Sequence, residues 1–385
     1  ERWRAFVADM LDRYGRRAAL IEVGTVCNRR KWSGYSPASF YRAWQIAWTE
    51  ARGRGITLAG PNVTDFEPVY NAGWLGLLRR DGMAPSIHTD NVFVERATEP
   101  EAYDPKIFGR RLAGLARGNL VRKARLLRDI GVWADAPDLL CTHASWSLRR
   151  IARFLEDVED KQADYLSRYV FLAAASGALR RLYWGPLIGQ REGLVDDGTT
   201  EYPDPPHVAY YEQARGSVSD YRLRPAFGAF RTAVRLLAGA TFRRTLPAGP
   251  SVTRLEFSGR FALQPGAEPL PGVLHAVWTR DGCGAETMAC YPDSLLSRAR
   301  VLSRDGGPLS RPPRFLGESP VFLFWPDKSA PDSAAVTIPP SAADNRLAAG
   351  LRFARQPGWD YDWLRPANAR VPAGLYLSEA EGIRH

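Results

Sequence analysis

One pattern limits what this chain can fold into. From its first residues to about position 245, short apolar runs alternate with longer amphipathic stretches. The runs AALIEV (18–23), ITLAGP (56–61), APSIHTDNVF (84–93), PDLLCTHASW (137–146) and LRRLYWGPLI (179–188) have the length and composition of strands. Between them lie helical patterns. In SPASFYRAWQIAWTEARGRG, Ser36 can cap while Phe40, Trp44 and Ala47 fall on one face. In KQADYLSRYVFLAAASG, Tyr165, Tyr169, Leu172 and Ala173 form one stripe. Strand–helix alternation of this kind makes a parallel sheet covered by helices.

Five such units are visible, whereas a closed (β/α)8 TIM barrel needs eight strands and typically about 250 residues. The expected fold is therefore α/β, with residues 1–245 forming roughly the fourth to eighth units of a TIM barrel. Its N-terminal strands are expected to lie outside these 385 residues, which open on Glu1 within a helical pattern. A five-stranded doubly wound sheet would need no further strands, but no glycine-rich phosphate loop follows any run. After 246 the pattern changes to SVTRLEFSGRFAL, GVLHAVWTRDGCGAETMACY, LSRARVLSRDGGPL and SPVFLFWP, punctuated by Asp281-Gly282 and Asp305-Gly306-Gly307. This predicts a small antiparallel, sandwich-like β domain over 246–326. Residues 327–385, rich in Ala, Pro and Asp at their start, read as a linker and an unassigned segment.

The formal charge of +10 points toward acidic partners. The arginines are nevertheless scattered, as at Arg110, Arg111, Arg117, Arg122, Arg125 and Arg128, and no nucleic-acid motif accompanies them. They read as a solvated surface, so no nucleic-acid partner is expected. No run of about 18 apolar residues predicts a transmembrane helix. The four cysteines show no metal-ligand spacing, and no cofactor or metal is expected. Cys283 and Cys290 are spaced either for a disulfide across a hairpin or for two free thiols.

In a barrel of this type, function sits at the C-terminal ends of the strands. Residues there are Glu22, Asn28 and Trp32; Asp65 and Glu67; His88 and Asp90; Thr142, His143 and Trp146; and Trp184, Glu192, Asp196 and Asp197. A face rich in Trp, His and carboxylates suits a sugar, because aromatic rings stack on pyranose faces and carboxylates bind hydroxyls. The expected partner is thus an oligo- or polysaccharide.

These stretches resemble the second half of clan A glycoside hydrolases, near the xylosidase/iduronidase-like family, over about residues 10–325. In that group the fourth strand reads like E-I-G-N-E-P-N, the sixth like S-x-H-x-Y and the seventh like T-E-x-x-W. Ser86 and His88 match the sixth-strand motif, with Asp90 in place of Tyr. Asn28 and Trp32 match the loop after the fourth strand, and Thr142 and Trp146 bracket the seventh-strand site. YWGPLIGQREGLVDDG and RPAF (224–227) resemble the eighth strand and last helix of bacterial members associated with envelope polysaccharides. The resemblance implies a TIM barrel, glycoside hydrolysis and a place in the envelope, periplasm or cytoplasm of a bacterium. Asn28, Trp32, His88, Asp90, Trp146 and Trp184 would then touch substrate.

The pattern departs where the chemistry should be. The acid/base position falls on Val26 and the nucleophile position on His143. Glycoside hydrolysis ordinarily uses two carboxyl groups flanking the bond. Glu22 stands four residues before Val26, about 13 Å away along an extended strand, which reads as a structural role. The remaining catalytic candidates are Glu192, Asp196 and His143, the last with an ordinary pKa suited to proton transfer. Glu192, Asp196 and Asp197 serve equally well as loop-capping residues, since Asp-Asp-Gly is a turn signal. Trp146 and Trp184 are open between barrel packing and sugar stacking, while Trp278 and Trp325 are expected to pack the β domain. Two readings follow. One is a hydrolase of O-glycosidic bonds in an envelope or extracellular polysaccharide, with a non-standard catalytic set. The other is an inactive glycan-binding or polysaccharide/lipopolysaccharide biosynthesis accessory protein on the same barrel.

Overall fold

The computed structural model describes residues 1–64, 67–91, 99–101, 106–107, 110–111, 120–152, 155, 157–198, 217–248 and 251–326. Asp65 and the segment 327–385 lie outside the described residues. The chain divides into two compact units, one of 1–94, 104–144 and 176–184, the other of 95–103, 145–175 and 185–385.

The first unit is built on a parallel sheet of β1 (Ile21–Glu22), β2 (Leu58–Val63), β3 (Ile87–Asp90), β6 (Asp138–Ala144) and β7 (Leu179–Trp184). A short ladder of β4 (Lys106–Ile107) and β5 (Arg110–Arg111) lies between β3 and β6 in sequence. The sheet order is β1-β2-β3-β6-β7, with every pair parallel. This order never reverses. A doubly wound sheet reverses at its switch point, so the winding is that of a singly wound, barrel-type sheet. Among the described residues it has five strands and is open; a closed ring of eight is not present.

The helices of this unit are α1 (Arg2–Tyr14), α2 (Arg30–Ser33), α3 (Pro37–Arg52), α4 (Pro68–Arg80) and α5 (Leu120–Trp133). Helix α3 starts where the sequence says it should: the Ser36 hydroxyl accepts from the Ser39 N–H at 3.1 Å, and Pro37 occupies the first turn. Its predicted face is buried, and Phe40 meets Trp74 of α4 edge-to-face at 4.7 Å. Trp44 also donates its indole N–H to the Met83 carbonyl at 3.0 Å, so burial leaves no orphan donor.

In the second unit, β10 (Ala240–Thr245), β11 (Val252–Phe261), β12 (Leu270–Thr279), β14 (Arg300–Leu302), β15 (Pro308–Leu309) and β17 (Val321–Pro326) form one sheet, ordered β10-β11-β12-β17-β14-β15. All its pairs are antiparallel. Smaller ladders join β8 (Val195–Asp196) to β9 (Arg222–Leu223) and β13 (Ala285–Glu286) to β16 (Phe315–Leu316). One face of the six-stranded sheet is covered by a helix, while Val277, Leu323 and Trp325 share a core with Ala285 and Leu316 of the β13–β16 ladder. Phe171 of α7 (Val158–Ser176) packs against Phe257 of β11 at 5.6 Å and Phe322 of β17 at 4.9 Å. The unit also contains α6 (Leu148–Ile151) and α8 (Pro225–Leu237). Trp278 and Trp325 are fully buried within it, as expected. Cys283 and Cys290 are free thiols, as are Cys27 and Cys141. Among the described residues no helix is long and apolar enough to cross a membrane, and no cluster of His, Cys, Asp or Glu could hold a metal ion.

Candidate functional site

Alternation along the strands sends successive side chains to opposite faces of the parallel sheet. On β1, Ile21 packs with the helix-side core, and Glu22 therefore faces the other way. Its Oε1 accepts from the Asn62 amide at 3.0 Å and from the Thr142 hydroxyl at 3.0 Å. The same amide nitrogen lies 2.7 Å from Thr142 Oγ1 and 3.2 Å from Asn91 Oδ1. Four strands thus deliver one polar cluster at their C-terminal ends: Glu22 from β1, Asn62 from β2, Asn91 just after β3 and Thr142 from β6. Burial pushes the Glu22 carboxyl above its ordinary value, and the hydrogen bonds from Asn62 and Thr142 pull it back in part. None of these partners carries a charge.

The loop after β1 does not continue as a strand. Gly24 is left-handed (φ +82), and a Cβ there would lie 2.5 Å from the Phe40 ring, so only glycine fits. Val26 is also left-handed (φ 54), which is rare for a β-branched residue. Its N–H donates to Asn62 Oδ1 at 3.2 Å, and the Cys27 N–H donates to the Asn62 carbonyl at 3.0 Å. The loop has curled back, so that one Asn62 side chain holds both Val26 and Glu22. The extended spacing expected between them does not apply. Glu22 belongs to the strand-end cluster instead of lying deep beneath it.

Asn28, expected at the ligand, uses both ends of its amide on one neighbour: Oδ1 accepts from the Thr64 N–H at 3.0 Å and Nδ2 donates to the Thr64 carbonyl at 2.7 Å. It therefore splints the loop to the end of β2. Glu67 is ion-paired with Arg29 at 2.8 Å. Trp32, on α2, is 51% exposed, with the Lys31 ammonium 5.3 Å from its ring centre. The helix starts that follow these strand ends flank a cavity of about 390 Å3, lined by Pro37, Pro68, Val69, Tyr70, Trp74 and Leu77 among others.

His88 and Asp90 face the other side of the sheet. Both are fully buried. His88 Nε2 lies 2.8 Å from Asn71 Oδ1 and its Nδ1 3.2 Å from the Leu127 carbonyl, while Asn71 Nδ2 donates to Asp90 Oδ2 at 2.9 Å. Burial pushes the His88 pKa down to about 4, so the ring is neutral. The expectation that this pair touches a ligand is revised: the two residues join β3 to α4 and α5. His143 is half-buried on β6 beside Thr142, and Trp184 is half-buried at the end of β7, paired in register with Ala144.

The other candidates lie in the second unit. The Ser145 hydroxyl donates to Glu192 Oε2 at 2.6 Å, and Arg191 stands 3.5 Å from Glu192 Oε1. Trp146 is buried against Tyr165 and Tyr169, with ring centres 5.6 and 5.4 Å away, which is the packing alternative of its two roles. Asp196 is ion-paired with Arg222 at 3.0 Å and Arg224 at 3.4 Å, and accepts from the Gly198 N–H at 3.2 Å. That is the turn-forming role. Asp197 is buried beside it. Arg224, itself buried, donates to the carbonyls of Gly189, Gln190 and Gly193 at 2.8, 2.7 and 2.7 Å. It thereby shapes the turn that carries Glu192.

Asn62 and Asn91 escaped the reading of the sequence. The signal for Asn62 was present, because an amide inside the short apolar run LAGPNV has to find buried partners.

No family model matches this sequence, and no curated protein matches it. Among solved structures, a GH39 β-xylosidase from Caulobacter crescentus aligns with a TM-score of 0.46 at 13% identity, over 84% of this chain and 71% of that one. A GH39 enzyme from Xanthomonas axonopodis pv. citri gives 0.46 at 12% identity, over 84% and 72%. A GH128 (subgroup I) endo-β-1,3-glucanase from Amycolatopsis mediterranei, in complex with laminaripentaose, gives 0.34 at 12% identity, over 48% and 69%. At such identities and TM-scores the likeness carries no activity to this chain.

Proposed function

We propose that this chain is a glycan-binding protein of glycoside-hydrolase-like (β/α)8 type, whose ligand is an oligosaccharide of a bacterial envelope or extracellular polysaccharide. The observation that carries this reading is the cluster of Glu22, Asn62, Asn91 and Thr142 at the strand ends. Neutral amides and hydroxyls that both donate and accept are what sugar hydroxyls require. Exposed Trp32, on the helix that leaves the same loop, offers a stacking surface. Binding is favoured over cleavage because Val26 stands where the family resemblance implies the proton donor and His143 where it implies the nucleophile. Asp196 is neutralised by two guanidinium groups.

The test is calorimetric titration with xylo-, laminari- and uronate-containing oligosaccharides, followed by long incubation and product analysis. Saturable binding by one class is expected, weakened about tenfold or more in Trp32→Ala, with no shortened product. Absence of binding to every class overturns the proposal. One observation favours a second reading, hydrolysis by a non-standard set: Glu22 is a carboxyl whose burial favours holding a proton, as a general acid must. That reading requires product from the intact chain and none from Glu22→Gln.

A further inference from the structure

A second buried cluster, within the unit of 95–103, 145–175 and 185–385, has no part in the reading above. Arg168 lies in the apolar stripe of α7 and is fully buried. Its Nε donates to Glu101 Oε1 at 3.0 Å and its Nη1 to Asp281 Oδ1 at 2.7 Å. Its Nη2 donates to Glu99 Oε2 at 2.9 Å and Glu101 Oε2 at 2.5 Å. Trp278 donates its indole N–H to Glu101 Oε1 at 2.5 Å, and the Asp281 N–H donates to Glu99 Oε2 at 2.7 Å. The Tyr165 hydroxyl donates to Asp281 Oδ2. Lys161 pairs with Asp281 at 3.5 Å and with Glu318, whose other oxygen accepts from the Gly282 N–H at 2.7 Å.

The charges do not balance. Glu99, Glu101, Asp281 and Glu318 are four buried carboxyl groups; Arg168 and Lys161 are the buried cations that touch them, and Arg280 acts on Glu99 from further away. Among the described residues, even counting Arg280, one negative charge is left over, and an uncompensated buried charge is strongly unfavourable. Two buried carboxylate oxygens of the cluster receive no hydrogen bond, Glu318 Oε2, which is ion-paired with Lys161, and Glu99 Oε1, and the second identifies where the excess falls. Glu99 Oε1 is buried and receives no hydrogen bond, while Glu99 Oε2 receives two.

We propose that Glu99 carries a proton in the assembled cluster and is a pH-sensitive latch: protonated, it lets the segment Glu99–Glu101 close onto α7 and the Asp281-Gly282 turn, and its ionisation loosens that segment. Among the described residues, the groups around it are Lys161, Tyr165 and Arg168 from α7, Arg280, Asp281 and Cys283 from the turn after β12, Glu318 ahead of β17, and Glu101 on its own segment. Burial and the charge of Asp281 push Glu99 up to about 7, against the opposing pull of Arg168. Burial holds Asp281 back from ionising, but Lys161 and Arg168 outweigh it and keep its value below the ordinary one. Burial raises Tyr165 well above the phenol range and Cys283 to about 11. Of Glu99, Asp281, Tyr165 and Cys283, Glu99 is thus the one that titrates near neutrality. Its folded value lies above the ordinary 4.5, so the stability it contributes is fully present below that value and is lost as pH rises through about 7.

The test follows thermal unfolding of the full chain from about pH 5 to about pH 9, with amide exchange read at residues 99–101 and 281–282 and corrected for intrinsic rates. Wild type is expected to lose melting temperature as pH rises from about 5 to about 7 and to level off beyond it, and those amides to lose about tenfold or more in protection over the same range. Glu99→Gln, which keeps the shape without the ionisation, is expected to have a shallower profile than wild type and to exceed it at the alkaline end. Superimposable pH profiles for the two proteins overturn the proposal. Should Glu99→Gln fail to fold, the infrared carbonyl band of a protonated carboxylic acid decides in the Glu22→Gln background, which removes the other raised carboxyl. The band is expected near neutral pH and lost on the alkaline side; its absence at about pH 6 also overturns the latch.

Discussion

Glu22 and Asp196 are both carboxyl groups near the ends of strands, and they meet opposite surroundings. Glu22 is held by an amide and a hydroxyl, and burial raises its pKa. Asp196 is held by two guanidinium groups, one of which, Arg224, is itself buried and ties three carbonyls of the adjoining turn. A carboxylate matched by arginines has its charge committed to shaping the chain. One surrounded by neutral donors keeps both its proton chemistry and its capacity to exchange partners with a ligand. Position at a strand end is shared by the two residues, so position alone does not distinguish a site from a splint; the kind of donor does.

The largest effect should come from the arginine side of this contrast. Arg224→Ala leaves two buried carbonyls, the half-buried Gly189 carbonyl and the Glu159 carboxylate short of a partner, and is expected to cost about 3–5 kcal/mol in denaturant unfolding. A loss under about 1 kcal/mol would mean that the turn holds itself and the contrast is false. Asn62→Ala comes next. It removes donors to Glu22 and Thr142 and the acceptor for the Val26 N–H, which predicts a loss of about 2–3 kcal/mol together with weakened glycan binding. If stability falls while affinity is untouched, the amide cluster is scaffold and the proposed site is elsewhere. Glu22→Gln is milder and is read through pH. The folded pKa of Glu22 is raised, so its contribution is present at low pH and lost as pH rises through the folded value; Gln should flatten that segment of the stability–pH curve. A steeper curve in the variant would contradict burial as the dominant influence on this carboxyl.

Much of the architecture was legible because it rests on periodicity. Five strand–helix units, the Ser36 cap and the inner stripes of α3 and α7 follow from which positions repeat. What periodicity cannot supply is direction. β3 is buried on both faces, so nothing in IHTD indicates whether His88 and Asp90 point to the helices or away from them, and their match to a sugar-binding motif pointed the wrong way. Local conformation was equally hidden. The separation of Glu22 from Val26 assumed an extended chain, which two left-handed residues abolish. Arg168 was the missed clue to the second cluster, since an arginine among Tyr165, Tyr169 and Leu172 has to find buried carboxylates. Its partners Glu99 and Glu101 are remote in sequence, and no local pattern links them to it.

The smallest predicted effect tests the loop itself. Val26 occupies the left-handed region, which costs an L-residue with a full side chain about 1–2 kcal/mol, whereas Asn enters it readily. Val26→Asn keeps the backbone N–H that Asn62 accepts, and the side chain it replaces is only half-buried. Relief of that strain should therefore outweigh the loss of a half-buried apolar side chain, giving a net gain of about 0.5–1 kcal/mol in denaturant unfolding. Glycan affinity should be retained, because the loop keeps its curl as long as Asn62 holds it. A destabilised variant would mean that Val26 is packed in place and that the side chain, more than the Asn62 amide, bends this loop over Glu22.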